Sequence, residues 1–237
     1  VSDRFVNVPP APEIQAIFDR IAPVYDQLND RLSFGQHRVW KQMTVKWSKA
    51  APGMTCLDVC CGSGDLARLL AKRVGTSGKV VGVDFSPAQL EVARKRFPGF
   101  GTATIEWIEG DALSLPFPDA QFEAATMGYG LRNVTDILTS LKELRRVLKL
   151  GATAAILDFH RPESPAVRTF QQWYLQTIVV PTAQQLGLTE EYAYISPSLD
   201  RFPVGAEQVE LALQAGFAQA KHYAIAGGIM GVLVATV

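Results

Sequence analysis

Short apolar runs and longer amphipathic stretches take turns along this chain. Met54 to Val59, Lys79 to Phe85, Thr104 to Ile108, Phe122 to Met127 and Ala152 to Phe159 are each bounded by turn residues, which predicts five strands. Between the first two, Leu66 to Leu70 opens a helical pattern. Ser86-Pro87 then supplies an N-cap and a first-turn proline for a helix to about Phe97, and a helix from about Thr135 to Leu148, closed by Gly151, separates the last two strands. Alternation of this kind predicts an α/β fold with a doubly wound, mostly parallel sheet and ligands over the carboxyl ends of the strands. Asp58, Asp84, Asp111 and Gly128 fall at or near those ends.

The flanks follow other patterns. Val1 to Pro12 is proline-rich and expected to be loose, and Glu13 to Ile21 has helical spacing through Ile14, Ile17, Phe18 and Ile21, ended or kinked at Pro23. A second helix is predicted from about Phe34 to Ser48, with Ser33 as N-cap and Val39, Trp40, Met43 and Trp47 as its apolar face. Beyond Asp158, Ser164 to Val180 reads as a long helix interrupted by Pro181, and Tyr192 to Pro203 as a loop. Glu207 to Gln214 is helical with Gly216 as its stop. Ala218 to Ile225 and Ile229 to Thr236 then read as two strands around Gly227-Gly228, closing the sheet edge in antiparallel fashion. One domain is expected: a helical lid over residues 1–50, a cofactor-binding core over 51–160, a substrate-side insertion over 161–204, and a closing helix and strands over 205–237.

The chemistry concentrates in Leu57-Asp58-Val59-Cys60-Cys61-Gly62-Ser63-Gly64-Asp65, a strand running into a glycine turn and then a helix. Glycines at such a turn let the backbone pass close under a ligand. Gly62, Gly64 and Ala67 also satisfy the dinucleotide pattern G-x-G-x-x-A, with Asp84 placed where a ribose-binding acid would sit. Two further acids favour S-adenosylmethionine over a dinucleotide. Asp58 lies inside the first strand, where it can meet a ligand ammonium but would repel a pyrophosphate, and Asp111 with Ala112 follows the third strand, within reach of an adenine amino group.

Composition narrows the partners. Lys plus Arg and Asp plus Glu both number 23 in 237 residues, so no global charge attracts nucleic acid or anionic lipid. Cys56, Cys60 and Cys61 lie in or beside one strand and supply neither an ordinary disulfide nor metal-ligand spacing, which predicts a reduced, intracellular chain with no metal. No apolar run reaches the ~20 residues that span a bilayer, and no leader pattern precedes Arg4. Phe170, Trp173, Tyr174, Leu175, Ile178, Val179 and Val180 form an apolar stretch above the strand ends, either core-facing or a surface for peripheral membrane contact.

Longer signatures carry a resemblance. Phe18-Asp19-Arg20-Ile21-Ala22-Pro23-Val24-Tyr25-Asp26, with Asn29, Ser33, Gly35, His37, Arg38 and Trp40, resembles the N-terminal signature of the quinone-biosynthesis C-methyltransferases. Gly130-Leu131-Arg132-Asn133-Val134 and Arg146-Val147-Leu148-Lys149 are similar to that family's internal signatures. Met127-Gly128-Tyr129-Gly130, Trp107-Ile108-Glu109-Gly110-Asp111 and Gly231-Val232-Leu233-Val234-Ala235-Thr236 look like its cyanobacterial and plastid branch. Leu150 and Ala152 depart from the proline and glycine the family usually has around Gly151.

The resemblance implies a Rossmann-like S-adenosylmethionine-dependent fold and a lipid-tailed quinol substrate, 2-phytyl-1,4-naphthoquinol. It also implies a place in the cytoplasm, peripheral at a thylakoid or inner membrane, or in a plastid if a transit peptide has been removed. Gly62, Ser63 and Gly64 would cradle the methionine part of the cofactor, Asp84 the ribose, and Asp111 and Ala112 the adenine. Arg132, Asn133 and Tyr25 are the catalytic candidates: Arg132 to hold the quinol oxyanion or a water, Tyr25 and Asn133 to orient that water or the ring oxygen. Packing for Tyr25 and helix capping for Asn133 remain their ordinary alternatives, and His160 is a reserve base. The rival functions are methylation of a demethylmenaquinol or benzoquinol, nicotinamide-dependent dehydrogenation, and a non-enzymatic cofactor-binding scaffold.

Overall fold

The sequence alternation becomes one seven-stranded sheet in a computed structural model, which describes residues 10–22, 30, 33–97, 102–162, 164–184 and 195–237. The strands are β1 (Thr55–Val59), β2 (Lys79–Asp84), β3 (Thr104–Glu109), β4 (Phe122–Gly128), β5 (Leu148–Phe159), β6 (Gln219–Ile225) and β7 (Met230–Thr236), in the order β3-β2-β1-β4-β5-β7-β6. Pairings among β1 to β5 are parallel, and β7 runs antiparallel between β5 and β6. The chain leaves β1 toward β2 and β3, then returns to β4 on the other side. That reversal opens a crevice outside the carboxyl ends of β1 and β4, where ligands bind in doubly wound sheets.

The helices are α1 (Ala11–Ile21), α2 (His37–Trp47), α3 (Asp65–Val74), α4 (Pro87–Arg96), α5 (Ile137–Val147), α6 (Pro165–Tyr174), α7 (Val180–Gln184), α8 (Ile195–Arg201) and α9 (Gly205–Gln214). The central strands are covered on both faces. Leu57, Val59, Val81, Met127 and Ile156 join Leu141 and Leu144 of α5 and Ala212 of α9 in one core, while Cys56, Val80 and Ala124 lie with Leu66, Leu70 and Val74 of α3 in another. Two-sided burial is why these strands read as apolar runs and not as alternating patterns.

Local chemistry explains where the expected elements hold and where they shift. Ser86 caps α4 by accepting the Gln89 N–H, with Pro87 in the first turn. Gly216, at φ 97°, stops the chain after α9, and Gly227 and Gly228, at 68° and 92°, turn β6 into β7. By contrast α2 starts at His37 and not near Phe34, because Phe34 and Gly35 both take positive φ. Its buried side is His37, Lys41, Thr44 and Val45, whereas Val39, expected on the apolar face, is 56% exposed.

Gly151 does not close α5. It lies inside β5 at φ 79°, near a register irregularity opposite Phe122 and Ala124, and the strand follows α5 directly. The long helix also passes Pro181: a π turn at Leu175–Val179 joins α6 to α7, and Pro181 falls in the first turn of α7. A wider turn before a proline relieves the ring's clash with the carbonyl four residues back, here that of Thr177 inside the π turn. Part of the expected Tyr192 to Pro203 loop is α8, and the expectations at Pro23, Tyr25, Asp26, Asn29 and Tyr192 lie outside the described residues.

Gly64 carries the turn into α3 at φ 90°, and a Cβ there would lie 2.5 Å from Trp107 Cη2 and 3.2 Å from the Phe97 ring. Strain in the left-handed region and overpacking then act together. Gly64→Ala is expected to destabilise the chain by about 2 to 5 kcal/mol, read from denaturant midpoints; a loss below about 0.5 kcal/mol would mean that the turn relaxes freely.

Candidate active site

A cavity of about 300 Å³ lies over the carboxyl ends of β1, β2 and β4. Its floor is the Cys60 to Ser63 turn, its sides carry Asp84, Asp111 and Gly128, and Pro12, Ile14, Gln15 and Phe18 of α1 cover it. Three hydrogen bonds hold α1 there: Gln15 Nε2 donates to Phe85 O at 2.7 Å, Ser86 Oγ to Asp19 Oδ1 at 2.5 Å, and Gln89 Nε2 to Phe18 O at 3.2 Å. These contacts lay α1 over the crevice.

Backbone strain gathers here. Cys60 and Tyr129 both sit at positive φ, 53° and 59°, and both line the cavity. Such conformations cost on the order of 1 to 3 kcal/mol and concentrate at functional sites. Space is equally tight, since a Cβ on Gly130 would lie 2.5 Å from Cys60 Cβ and one on Gly128 2.7 Å from Leu66 Cδ1.

The turn's own donors are largely spent within the fold. Cys61 N–H donates to Val83 O at 3.0 Å, Gly64 N–H to Cys61 O at 2.9 Å, and Gly62 N–H to Asp84 Oδ2 at 2.7 Å. Asp84 Oδ1 accepts from Ser86 N–H at 2.9 Å. Asp84 therefore pins the turn to the start of α4, and each oxygen retains a lone pair for a further donor. Burial pushes its carboxyl up to about 6, against those backbone hydrogen bonds.

Asp58 is fully buried. Its Oδ1 accepts from Thr126 Oγ at 2.8 Å, while Oδ2 has no hydrogen-bond partner. Burial pushes this carboxyl up to about 7, although the Thr126 hydroxyl, the Ala67 backbone and the Lys41 charge all favour the ionised form. Asn133 also lines the cavity: its Nδ2 donates to Tyr129 O at 2.8 Å, and its Oδ1 is buried without a partner. Gln89 Oε1 is a third such acceptor. Buried polar atoms left unpaired cost free energy that a ligand donor recovers. A ligand carrying a cation and several donor groups fits this set.

Ser63 is buried in the floor, Ala112 is buried at one side, and Asp111 is exposed at the rim, its Oδ1 accepting the Leu113 N–H at 2.9 Å. All the expected cofactor residues except Gly64, which shapes the turn, line this cavity. The expected catalytic set divides. Asn133 lines it, Tyr25 lies outside the described residues, and Arg132 does not line it.

Arg132 faces the other way, with a side chain 6% exposed. Its Nε donates to Asp158 Oδ1 at 3.3 Å, its backbone N–H to Asp158 Oδ2 at 3.0 Å, and its Nη1 to Ser198 Oγ of α8, with the guanidinium over the Phe159 ring. Burial pushes the Asp158 carboxyl up, and Arg132 opposes that. Expected as an oxyanion holder, Arg132 instead clamps the turn that presents Asn133. His160, the reserve base, is not among the lining residues either, and its ring lies 4.8 Å from that of His222.

The residues missed from the sequence are Lys41, Gln15, Phe18 and Gln89. The overlooked signal for Lys41 was polarity at helical spacing, His37, Lys41 and Thr44, on the side of α2 that is buried.

Two outcomes are expected. The raised pKa of Asp58 means that its contribution to stability is present below about 4 and is lost as pH rises through about 7. Ligand-free Asp58→Asn should therefore exceed the parent at pH 8 by on the order of 1 to 3 kcal/mol, after the cost of its own buried amide, with the gap closing toward pH 4. A pH-independent difference in thermal unfolding would show that Asp58 is not desolvated. Arg132→Met strands the buried Asp158 carboxylate and should cost about 3 to 5 kcal/mol in denaturant unfolding, whereas a loss under about 1 kcal/mol would show the pair to be solvated.

The chain is 68% identical over 223 residues to the 2-phytyl-1,4-naphthoquinone methyltransferase of Trichormus variabilis, covering 94% of this chain and 97% of that protein. It is 57% identical over 236 residues to the Synechocystis protein of the same name, covering 99% of each, and 52% identical to the chloroplastic protein of Arabidopsis thaliana, covering 94% and 87%. In fold it is similar to a SAM-dependent methyltransferase from Aquifex aeolicus, with a TM-score of 0.62 at 21% identity, covering 83% of this chain and 89% of that one. A Thermotoga maritima SAM-dependent methyltransferase gives 0.65 at 21% identity, covering 94% and 99%. The family model for the ubiE/COQ5 methyltransferases matches residues 8–236, and this chain belongs to that family.

Proposed function

We propose that the chain transfers a methyl group from S-adenosylmethionine to carbon 3 of 2-phytyl-1,4-naphthoquinol. The observation that carries this reading is the buried, unpaired Oδ2 of Asp58 in a cavity shared with Asp84 and Asp111. A buried carboxylate with one unpaired oxygen welcomes an ammonium or a sulfonium; a pyrophosphate would be repelled. The substrate comes from the relatives, which are named for a 2-phytyl-1,4-naphthoquinone at 52–68% identity.

When bound, S-adenosylmethionine supplies a methyl on a cationic sulfur that leaves as a neutral thioether. The chain's residues then have three tasks. Asp58 would hold the ammonium, Asp84 would accept from the ribose hydroxyls through the lone pairs that Gly62 and Ser86 leave over, and Asp111 and Ala112 would border the adenine. Transfer needs donor and acceptor about 3 to 3.5 Å apart, and these contacts would serve that alignment. Second, the acceptor carbon must be made nucleophilic. A quinone ring is electron-poor, but a quinol that loses its 4-hydroxyl proton places charge on the ortho carbon 3. A water takes that proton, and Asn133 would orient this water by accepting a hydrogen bond from it through Oδ1, with Tyr25 as its companion. The proton on carbon 3 leaves after methylation and restores the aromatic ring. Arg132 is a positioning residue in this scheme, keeping Asn133 in place through Asp158. Third, α1 covers the cavity and would exclude water from it, which strengthens the electrostatic contacts made there.

The lipid tail calls for a route from a bilayer. No described helix is long and apolar enough to cross one. Phe170 and Trp173 on α6 are 50% and 51% exposed and Ile178 on the π turn 36%, so this face supports peripheral contact at a membrane holding the quinol.

Methylation is expected to require a reductant, since only the quinol gains a carbon nucleophile by losing a proton. Equal rates on a substrate verified to stay oxidised would overturn the mechanism. Comparing 2-phytyl-1,4-naphthoquinol with a demethylmenaquinol and a benzoquinol under reducing conditions ranks the acceptors. Asp84→Ala should weaken S-adenosylmethionine by about 1.5 to 3 kcal/mol in calorimetry and lower the melting temperature as well, because the Gly62 anchor goes with the ribose contact. Unchanged affinity would remove Asp84 from the site.

A further inference from the structure

Lys41 is the only cation among the described residues that line the cavity. Its side chain is 7% exposed, an unusual place for a lysine unless a partner holds it. Its hydrogen-bond partner is Asp65, whose Oδ2 accepts from Nζ at 2.7 Å, and Nζ also lies 5.9 Å from the centroid of the Tyr129 ring. That carboxylate is shared, because Arg96 Nη2 reaches Asp65 Oδ1 at 3.2 Å. Two cations on one anion leave a net positive charge, and Asp65 opens α3, whose N-terminus adds its own positive end. Burial alone would push the Asp65 carboxyl up, yet Lys41 and Arg96 outweigh it and hold it below the usual range.

Asp58, with its unpaired Oδ2, lines the same cavity, and it lies close enough for the Lys41 charge to act on it. A buried cation and a buried anion facing one space match a zwitterion, the form of an amino-acid end with both ammonium and carboxylate. Three backbone donors of the turn are already taken, since the N–H groups of Cys61, Gly62 and Gly64 are committed to Val83 O, Asp84 Oδ2 and Cys61 O. An ammonium has three donors, and Asp65 occupies one.

We propose that Lys41 binds the carboxylate of the amino-acid end of S-adenosylmethionine, opposite Asp58 on the ammonium, with the Asp65 and Arg96 cluster holding it in position. This rests on the cofactor reading above. It assigns to α2 a share of the cofactor site that the glycine turn alone does not complete.

The test removes the contact from each side in turn. Calorimetry with the full chain compares S-adenosylmethionine with its decarboxylated analogue, which keeps the ammonium and the sulfonium. The parent chain should prefer the carboxylate-bearing compound by about ten- to hundredfold, the worth of a charge-assisted contact. Lys41→Met should lose that preference by weakening only S-adenosylmethionine, leaving the affinity for the analogue within about twofold of the parent's. Should the unpaired Asp65 unfold the single variant, Lys41→Met with Asp65→Asn removes both partners, and the same loss of preference is expected. A preference that survives in these variants, or a parent that binds both compounds equally, overturns the assignment while leaving the cofactor reading intact. A parent that binds neither compound overturns the cofactor reading and the assignment with it.

Discussion

The hydrogen bond from Gly62 N–H to Asp84 Oδ2, 2.7 Å long, is the contact on which the rest of the site depends. It joins the turn after β1 to the end of β2, and the other oxygen of the same carboxylate holds Ser86, where α4 begins. One side chain thus fixes the floor of the cavity, the acid at its side and the helix behind it. Ser86 and Gln89 in turn hold α1 over the opening. The turn has little room to shift, because Trp107 and Phe97 press against Gly64 from one side and Cys60 sits against Gly130 on the other. Close packing converts one carboxylate's geometry into the geometry of the whole crevice.

Two kinds of buried charge in this fold have opposite meanings. Arg132 and Asp158 satisfy each other, with Ser198 as a further partner, and a satisfied buried pair is scaffold: it specifies how the turn after β4 sits on β5. Asp58, Asn133 and Gln89 each leave one acceptor unpaired at the crevice, a cost that evolution removes from a core unless something else meets it. The difference lies in bookkeeping of hydrogen bonds and not in residue type, since an arginine is the more usual catalytic suspect. It moves the weight of the proposed chemistry from Arg132 to Asn133 and leaves Arg132 a supporting role.

The membrane-facing proposal has the same logic at the surface. Leu175 and Val179 of the π turn are buried while Phe170, Trp173 and Ile178 are exposed, so the stretch is amphipathic: part of it packs as core and part meets solvent. Its apolar content alone could not divide those roles.

The sequence by itself determined the strands buried on both faces, the caps at Ser86 and Gly216, the glycine turn and the acids at the strand ends. Each is written in a few adjacent residues, through period, φ preference or a hydrogen bond to the next turn. Only the tertiary structure decided which side of α2 is buried, that Gly151 bends a strand and does not end a helix, and where Arg132 and Lys41 point. Arg132 finds Asp158 26 residues away and Ser198 66 away, and Lys41 finds Asp65 24 away. Charged side chains are long and their partners are chosen by what the fold brings near. Local propensity therefore records that a charge is present, and the desolvated neighbourhood built by the whole sheet settles whether it braces the protein or waits for a ligand.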